Sequence, residues 1–124
     1  MTFPQPHPDS IIFDSDQLYA CLASEAVAAG HVIVVWKADV ADLGELSKGD
    51  YDLLMETVDA VRSAMLKVLN IEKVYLVYMD EAKHVHWHLV PRYDEKGFNV
   101  FHHEPKQVTD FSLVLKIKEK ISNR

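Results

Sequence analysis

Residues 84–92, His-Val-His-Trp-His-Leu-Val-Pro-Arg, begin with histidine and apolar residues in strict alternation. Imidazole can act as a nucleophile when neutral and as a hydrogen-bond donor when protonated, both near about pH 7. On a β-strand successive side chains point to opposite faces. His84, His86 and His88 therefore share one face, and Val85, Trp87 and Leu89 share the other. A helix would scatter the three rings around its axis, and the alternation follows period 2 rather than 3.6. One face is built for a core and the other for chemistry. A lone histidine is usually a core or surface residue with satisfied nitrogens. Three in register differ, because packing them dry would leave ring nitrogens unpaired at roughly 1–3 kcal/mol each. Pro91 has no amide hydrogen to give a ladder, so the strand is expected to end or leave the sheet there.

Such a cluster suits reaction at a phosphate, which needs a nucleophile, donors for the charged oxygens and a proton for the leaving group. Adjacent imidazoles cannot all be charged, since like charges depress one another's protonation. Part of the set stays neutral, and the set titrates as a group. A zinc site is the first rival, with His102, His103 or Asp80 completing a pair from the strand. Zinc holds nitrogen ligands at about 2.0–2.1 Å. The Cα atoms of His84 and His88 would lie about 13–14 Å apart on a strand, so the three cannot comfortably share one ion. No metal is expected.

The elements that must position these residues follow from the rest of the chain. Its 124 residues, 48% hydrophobic and 26% charged, suit one globular domain over 1–124. A net charge of −6 argues against nonspecific nucleic-acid binding, so phosphate recognition must come from a local donor cluster. The single Cys21 rules out an internal disulfide and fits a reducing compartment. No stretch approaches the ~20 apolar residues of a membrane span, and residues 1–10 show no signal-peptide core. A cytoplasmic location and no membrane partner are expected.

Residues 1–9 are Pro-rich and read as an extended arm, docked on the body or on a partner subunit. Ile11–Phe13 and Tyr19–Leu22 read as strands around the turn Asp14-Ser15-Asp16. Residues 23–29 form a small-residue connection. The β-branched run from His31 to Trp36 predicts a central strand buried on both faces. Ser47 as N-cap, with Asp50 three residues on, opens a helix over 47–69. Its stripe is Leu54, Val58, Val61, Met65 and Val68, and Asn70 reads as a left-handed C-cap. Val74–Met79 predicts a strand joined by the tight turn Asp80–Lys83 to the histidine strand. Phe98–Phe101 is a short edge strand or a packed loop, and His102-His103 a surface pair. Thr109 would cap a last helix running to Ile121, with Phe111, Val114, Leu115 and Ile117 available for burial. The fold class is α+β: an antiparallel sheet of about five strands, a main helix and a C-terminal helix.

The pattern His-φ-His-φ-His-φ-φ at residues 84–90, φ being apolar, resembles the histidine triad (HIT) superfamily. Pro91-Arg92 after it, and Gly30-His31 opening the upstream apolar run, resemble its dinucleoside polyphosphate hydrolases. The resemblance covers about Ile11 to Tyr93. It implies a nucleotide hydrolase or nucleotidyl transferase acting at the α-phosphate, with no cofactor and a small-molecule nucleotide as substrate. It makes His86 the nucleophile that forms a nucleotidyl-histidine. His84 would orient His86 or accept its second ring hydrogen bond. His88 and His31 would donate to phosphate or leaving-group oxygens. It puts Cys21, Ala23 and Lys83 in the nucleotide-binding set, and it implies a homodimer. The chain departs from the family where Met79–Lys83 lacks Gly-Gln and a hydroxyl residue. It departs again at Ala23, where many members carry Asn or Asp for the ribose, and at Lys37-Ala38-Asp39 in place of Lys-x-His. A nucleoside phosphoramidase and a non-catalytic nucleotide-binding module are the alternatives.

Overall fold

The computed structural model describes residues 3–121. Met1, Thr2 and residues 122–124, the outer ends of the Pro-rich arm and of the C-terminal segment, lie outside the described residues. Five antiparallel strands form the main sheet: β1 (Ile11–Asp14), β2 (Leu18–Leu22), β4 (Val32–Trp36), β5 (Lys73–Tyr78) and β6 (His86–Arg92). Their spatial order is β1-β2-β4-β6-β5, so the histidine strand is interior. Two residues each of β3 (Glu25–Ala26) and β7 (Lys106–Gln107) make a separate small ladder. That pairing falls in the small-residue connection and in the polar stretch before Thr109, where no periodicity announces a strand.

The register explains why one face of the sheet is core and the other is chemistry. Directly opposed residues in neighbouring strands point the same way. The rows Ala20–Val34–Trp87 and Leu22–Val32–Leu89 face α1 (Lys48–Leu69). The rows Tyr19–Val35–His86 and Cys21–Ile33–His88 face away from it. Leu54, Val58, Val61 and Met65 of α1 are fully buried against the first pair of rows. The helix is capped as its sequence indicates. Ser47 Oγ accepts from the Asp50 amide at 3.1 Å, and Asn70 closes the helix at φ 53°. Gly30 turns the chain into β4 at φ +87°, where a Cβ would also meet the Leu69 side chain at 3.0 Å.

Four local expectations are corrected. The strand does not stop at Pro91: β6 runs on to Arg92, with Pro91 opposite Val74. Pairing with β4 ends at Leu89 and Val32, so one side of Pro91 has no ladder neighbour to miss its amide. The last helix, α2 (Ser112–Lys120), starts after Thr109: its N-cap is Phe111, which makes no side-chain cap bond, and Asp110 Oδ1 accepts the Ser112 amide at 2.9 Å from just ahead of it. Its Ile117 is buried, but Leu115 is 62% exposed on the outer side. Of the two readings of Phe98–Phe101 the packed loop holds: residues Gly97–His102 form a 3₁₀ turn with Phe98 and Phe101 near Tyr75. The turn Asp80–Lys83 closes with a Lys83 amide to Asp80 carbonyl bond of 2.9 Å. Pairing of β5 with β6 nevertheless begins only at Tyr78 and Trp87, so the hairpin loop is longer than its turn.

Candidate active site

His84 lies just ahead of β6, where Val85 exchanges backbone bonds with Trp36 and Val40. Its ring Nε2 is 2.5 Å from the Trp36 carbonyl. A carbonyl only accepts, so His84 carries its proton on Nε2. His86 Nδ1 is 2.7 Å from the His84 carbonyl and must likewise be a donor. In a neutral His86 ring the lone pair then sits on Nε2. It is the backbone carbonyl of His84, not its imidazole, that takes the second ring bond of His86.

His31 joins the cluster from the turn before β4. The Val27 amide donates to His31 Nδ1 at 3.3 Å, which leaves the ring proton on Nε2. That Nε2 is 3.0 Å from His88 Nδ1, so His88 accepts there and holds its own proton on Nε2. With both nitrogens engaged inside the protein, His31 has none left for a phosphate oxygen. The structure places it beside the triad, bonded to His88 through Nε2. Burial, and secondarily His88, lowers its pKa to about 4. His88 is also pushed down, by burial first and by His86 second. His31 and His88 are thus neutral near pH 7. The rings of His86 and His88 meet edge-on with centroids 5.1 Å apart.

Cys21 and Ala23 are buried on β2 and its end, on the histidine side of the sheet. They line a cavity of about 240 Å³ with Phe3, Tyr19 and Ile33. Burial raises the Cys21 thiol to about 11, so it stays protonated and unreactive. Ala23 offers no polar side-chain atom, but its amide bonds the His31 carbonyl at 2.9 Å. Lys83 does not join them. It stands exposed in the turn at φ 52°.

Three participants escape sequence reasoning. Phe3, from the Pro-rich arm, packs its ring 4.9 Å from that of His84 and 4.8 Å from that of His86. The arm is thus docked on the body, over the histidine face. His84, His86 and His31 keep only 8%, 6% and 6% of their surfaces exposed. The Val27 amide carries no side-chain signal at all. His103, exposed on the surface as expected, bonds the Val27 carbonyl and Glu95. Among the described residues no three His, Cys, Asp or Glu side chains are grouped to hold a metal ion. No described helix is long and apolar enough to cross a membrane.

A family model described as HIT domain matches residues 5–95. Solved structures with the same fold include a histidine triad protein from Sinorhizobium meliloti 1021. It is 17% identical over 89% of this chain and 87% of that one, with a TM-score of 0.76. A hypothetical histidine triad nucleotide-binding protein from Sulfolobus tokodaii strain 7 is 18% identical over 90% and 83%, at TM-score 0.72. A zinc-bound histidine triad family protein from Mycobacterium smegmatis is 17% identical over 93% and 85%, also at 0.72. The comparison with curated proteins found no match.

Proposed function

Because the chain belongs to the HIT domain family, we propose that it is a nucleotide hydrolase or nucleotidyl transferase with His86 as its nucleophile. The substrate class is a dinucleoside polyphosphate, such as diadenosine tetraphosphate, or a related nucleotide conjugate attacked at the α-phosphate. One observation carries this reading. The His84 carbonyl holds the proton of a neutral His86 on Nδ1, which turns the lone pair of Nε2 outward as the attacking atom. His88, held with its proton on Nε2, stands beside it as a hydrogen-bond donor to the phosphate or leaving-group oxygen.

The steps balance without a metal or cofactor. His86 Nε2 forms a bond to the α-phosphorus as the bond to the leaving oxygen breaks, and the leaving phosphate departs as an anion with its oxygen hydrogen-bonded to His88 Nε2–H. Water then attacks the nucleotidyl-histidine, the P–N bond breaks to return neutral His86, and the proton of the water goes to solvent as the nucleoside monophosphate is released. His31 takes no part in bonding to substrate; it fixes the ring of His88. Cys21 and Ala23 form the floor for the nucleoside, and Lys83 stands apart from them in the turn before the histidine strand.

The test is quenched-reaction mass spectrometry with a dinucleoside polyphosphate and, in parallel, an adenosine phosphoramidate. Wild type is expected to show a nucleotidyl adduct on His86. His86→Ala is expected to show none and to lose orders of magnitude in turnover. Nucleotide affinity should fall much less, since one neutral hydrogen bond is worth about 0.5–1.5 kcal/mol. Turnover of the phosphoramidate alone would move the substrate class to P–N bonds. Binding with no turnover of either would make this a nucleotide-binding module. An adduct on His84 or His88 would defeat the assignment of the nucleophile.

A further inference from the structure

His103 sits on the surface with 41% of its side chain exposed, yet both of its ring nitrogens are committed. Nδ1 is 2.6 Å from the Val27 carbonyl, and Nε2 is 2.8 Å from a Glu95 carboxylate oxygen. Both partners only accept. An imidazolium makes both bonds, whereas a neutral ring makes one. The groups facing it are Val27 from the segment after β3, Glu95 from the turn after β6, and Lys106 from β7. Glu104 lines the same open cavity. The Val27 carbonyl first and Glu95 second raise the pKa of His103 above the ordinary histidine value, against a smaller opposing effect of Lys106.

The bonds beyond His103 lead back to the triad. Val27, whose carbonyl His103 holds, gives its amide hydrogen to His31 Nδ1. Two residues on, the Ala29 carbonyl accepts from the Tyr93 hydroxyl. His31 Nε2 meets His88 Nδ1. On the other side, Arg92 at the end of β6 donates to the Glu95 carbonyl. The circuit runs Arg92, Glu95, His103, Val27, His31, His88, and it starts and finishes on the histidine strand.

We infer that His103 is a positioning residue for this site. With Glu95 it clasps the 26–29 segment, so that the Val27 amide keeps the His31 proton on Nε2 and His88 presents its own Nε2–H outward. Without the clasp, this small-residue segment keeps Tyr93 as its side-chain tether. Once the Val27 amide drifts, His31 Nδ1 is free to take the proton, and Nε2 becomes an acceptor. His88 must then donate through Nδ1, and its outward Nε2 becomes a lone pair facing an anionic oxygen. That tautomer cannot donate a hydrogen bond to the leaving group. Only this last step rests on the hydrolase reading; the clasp and the tautomers belong to the free protein.

The experiment compares wild type with His103→Ala, His103→Gln, Glu95→Gln and, as control, His102→Ala. Long-range ¹H–¹⁵N spectra of the imidazoles read the tautomers without substrate. Wild type is expected to show His31 and His88 both protonated on Nε2 alone near neutral pH. His103→Ala should mix the tautomers, and His103→Gln should restore them in part, because the amide can still donate to the Val27 carbonyl. In turnover, His103→Ala should lose about tenfold in kcat, short of the ~100-fold that a 1 Å misplacement can cost. KM should stay within about twofold. The wild-type kcat should decline on the alkaline side as His103 loses its proton. That limb should move to lower pH in Glu95→Gln and vanish in His103→Ala, while His102→Ala follows wild type. Unchanged tautomers in His103→Ala would overturn the clasp whatever the activity. Mixed tautomers with unchanged kcat would overturn its part in catalysis. Fixed wild-type tautomers that mix in His103→Ala, with no turnover of any nucleotide by wild type, would support the clasp and refute the hydrolase reading.

Discussion

Replacing Phe3 by alanine tests whether the arm seated over the histidines must leave before a substrate enters. The Phe3 ring is part-buried and lies 4.8 Å from that of His86, which is only 6% exposed. If His86 is the nucleophile as proposed, the arm must move before a phosphorus atom reaches it. The cavity beneath the arm, about 240 Å³, is also smaller than the roughly 300–1,000 Å³ of ordinary ligand pockets. Half-burying a phenylalanine is worth about 1 kcal/mol, and its ring contacts with His84 and His86 add about 0.5–1 kcal/mol. Alanine keeps neither, so the seated arm weakens by about 1.5–2 kcal/mol, a factor of roughly 10–30. Apparent affinity scales with the fraction of protein in the competent state. Phe3→Ala is therefore expected to lower KM, and the calorimetric dissociation constant for a nucleoside monophosphate, by about tenfold. The change in kcat should stay within about twofold. An unchanged dissociation constant would show that the arm does not compete with the nucleotide. A tenfold weaker one would show that Phe3 stacks on the ligand, and either result refutes the reasoning.

Two further outcomes follow from the same geometry. His31 is folded with a pKa near 4, below its unfolded value of about 6.5. The stability this confers is present above about pH 6.5 and lost as pH falls toward 4, and it amounts to about 3 kcal/mol at ~1.4 kcal/mol per pH unit. Urea denaturation at several pH values should show that slope in wild type and a shallower one in His31→Gln; equal slopes would contradict it. For assembly we propose a homodimer through the edge strand β5 and α1, supported by Tyr51, Leu76 and Met79, which are 42%, 41% and 45% exposed. Light scattering at micromolar concentration should give twice the chain mass, and Leu76→Lys should give one; a wild-type monomer would refute it.

The parts of the fold that could be read in advance are those where periodicity and burial agree. Period 2 at His84–Leu89, the β-branched run through Val32–Trp36 and the stripe from Leu54 to Met65 each point to one face. The register then aligns those faces in the rows described. Misreadings fall where local chemistry was ambiguous. Thr109 and Asp110 are both good caps by type, yet neither is the cap: the helix starts after Phe111, with the Asp110 carboxylate reaching the Ser112 amide from the turn before it. Pro91 breaks a ladder only where a neighbour needs its amide, and whether β4 extends that far is a tertiary fact. Glu25–Ala26 and Lys106–Gln107 are too short to show a period. Phe3 and His103 act at long range, 81 or more residues from the triad histidines in one case and across a turn in the other. No spacing in the chain links them to it.

The triad itself shows most sharply why residue types were visible and their roles were not. A histidine's role depends on which nitrogen bears the proton, and here backbone groups decide that. The Trp36 carbonyl fixes His84, the His84 carbonyl fixes His86, and the Val27 amide fixes His31 and through it His88. Backbone donors and acceptors are the same at every non-proline position, so they leave no trace in residue identity. His31 illustrates the consequence. Its position beside the triad follows from the Gly30-His31 resemblance, but a donor to phosphate and a ring with both nitrogens engaged look alike in sequence. What separates them is an amide four residues upstream, held from outside by a surface histidine. Function at this site is therefore set by two layers. On the proposed reading, side chains supply the nucleophile and the donor, and backbone groups fix which ring nitrogen carries the proton.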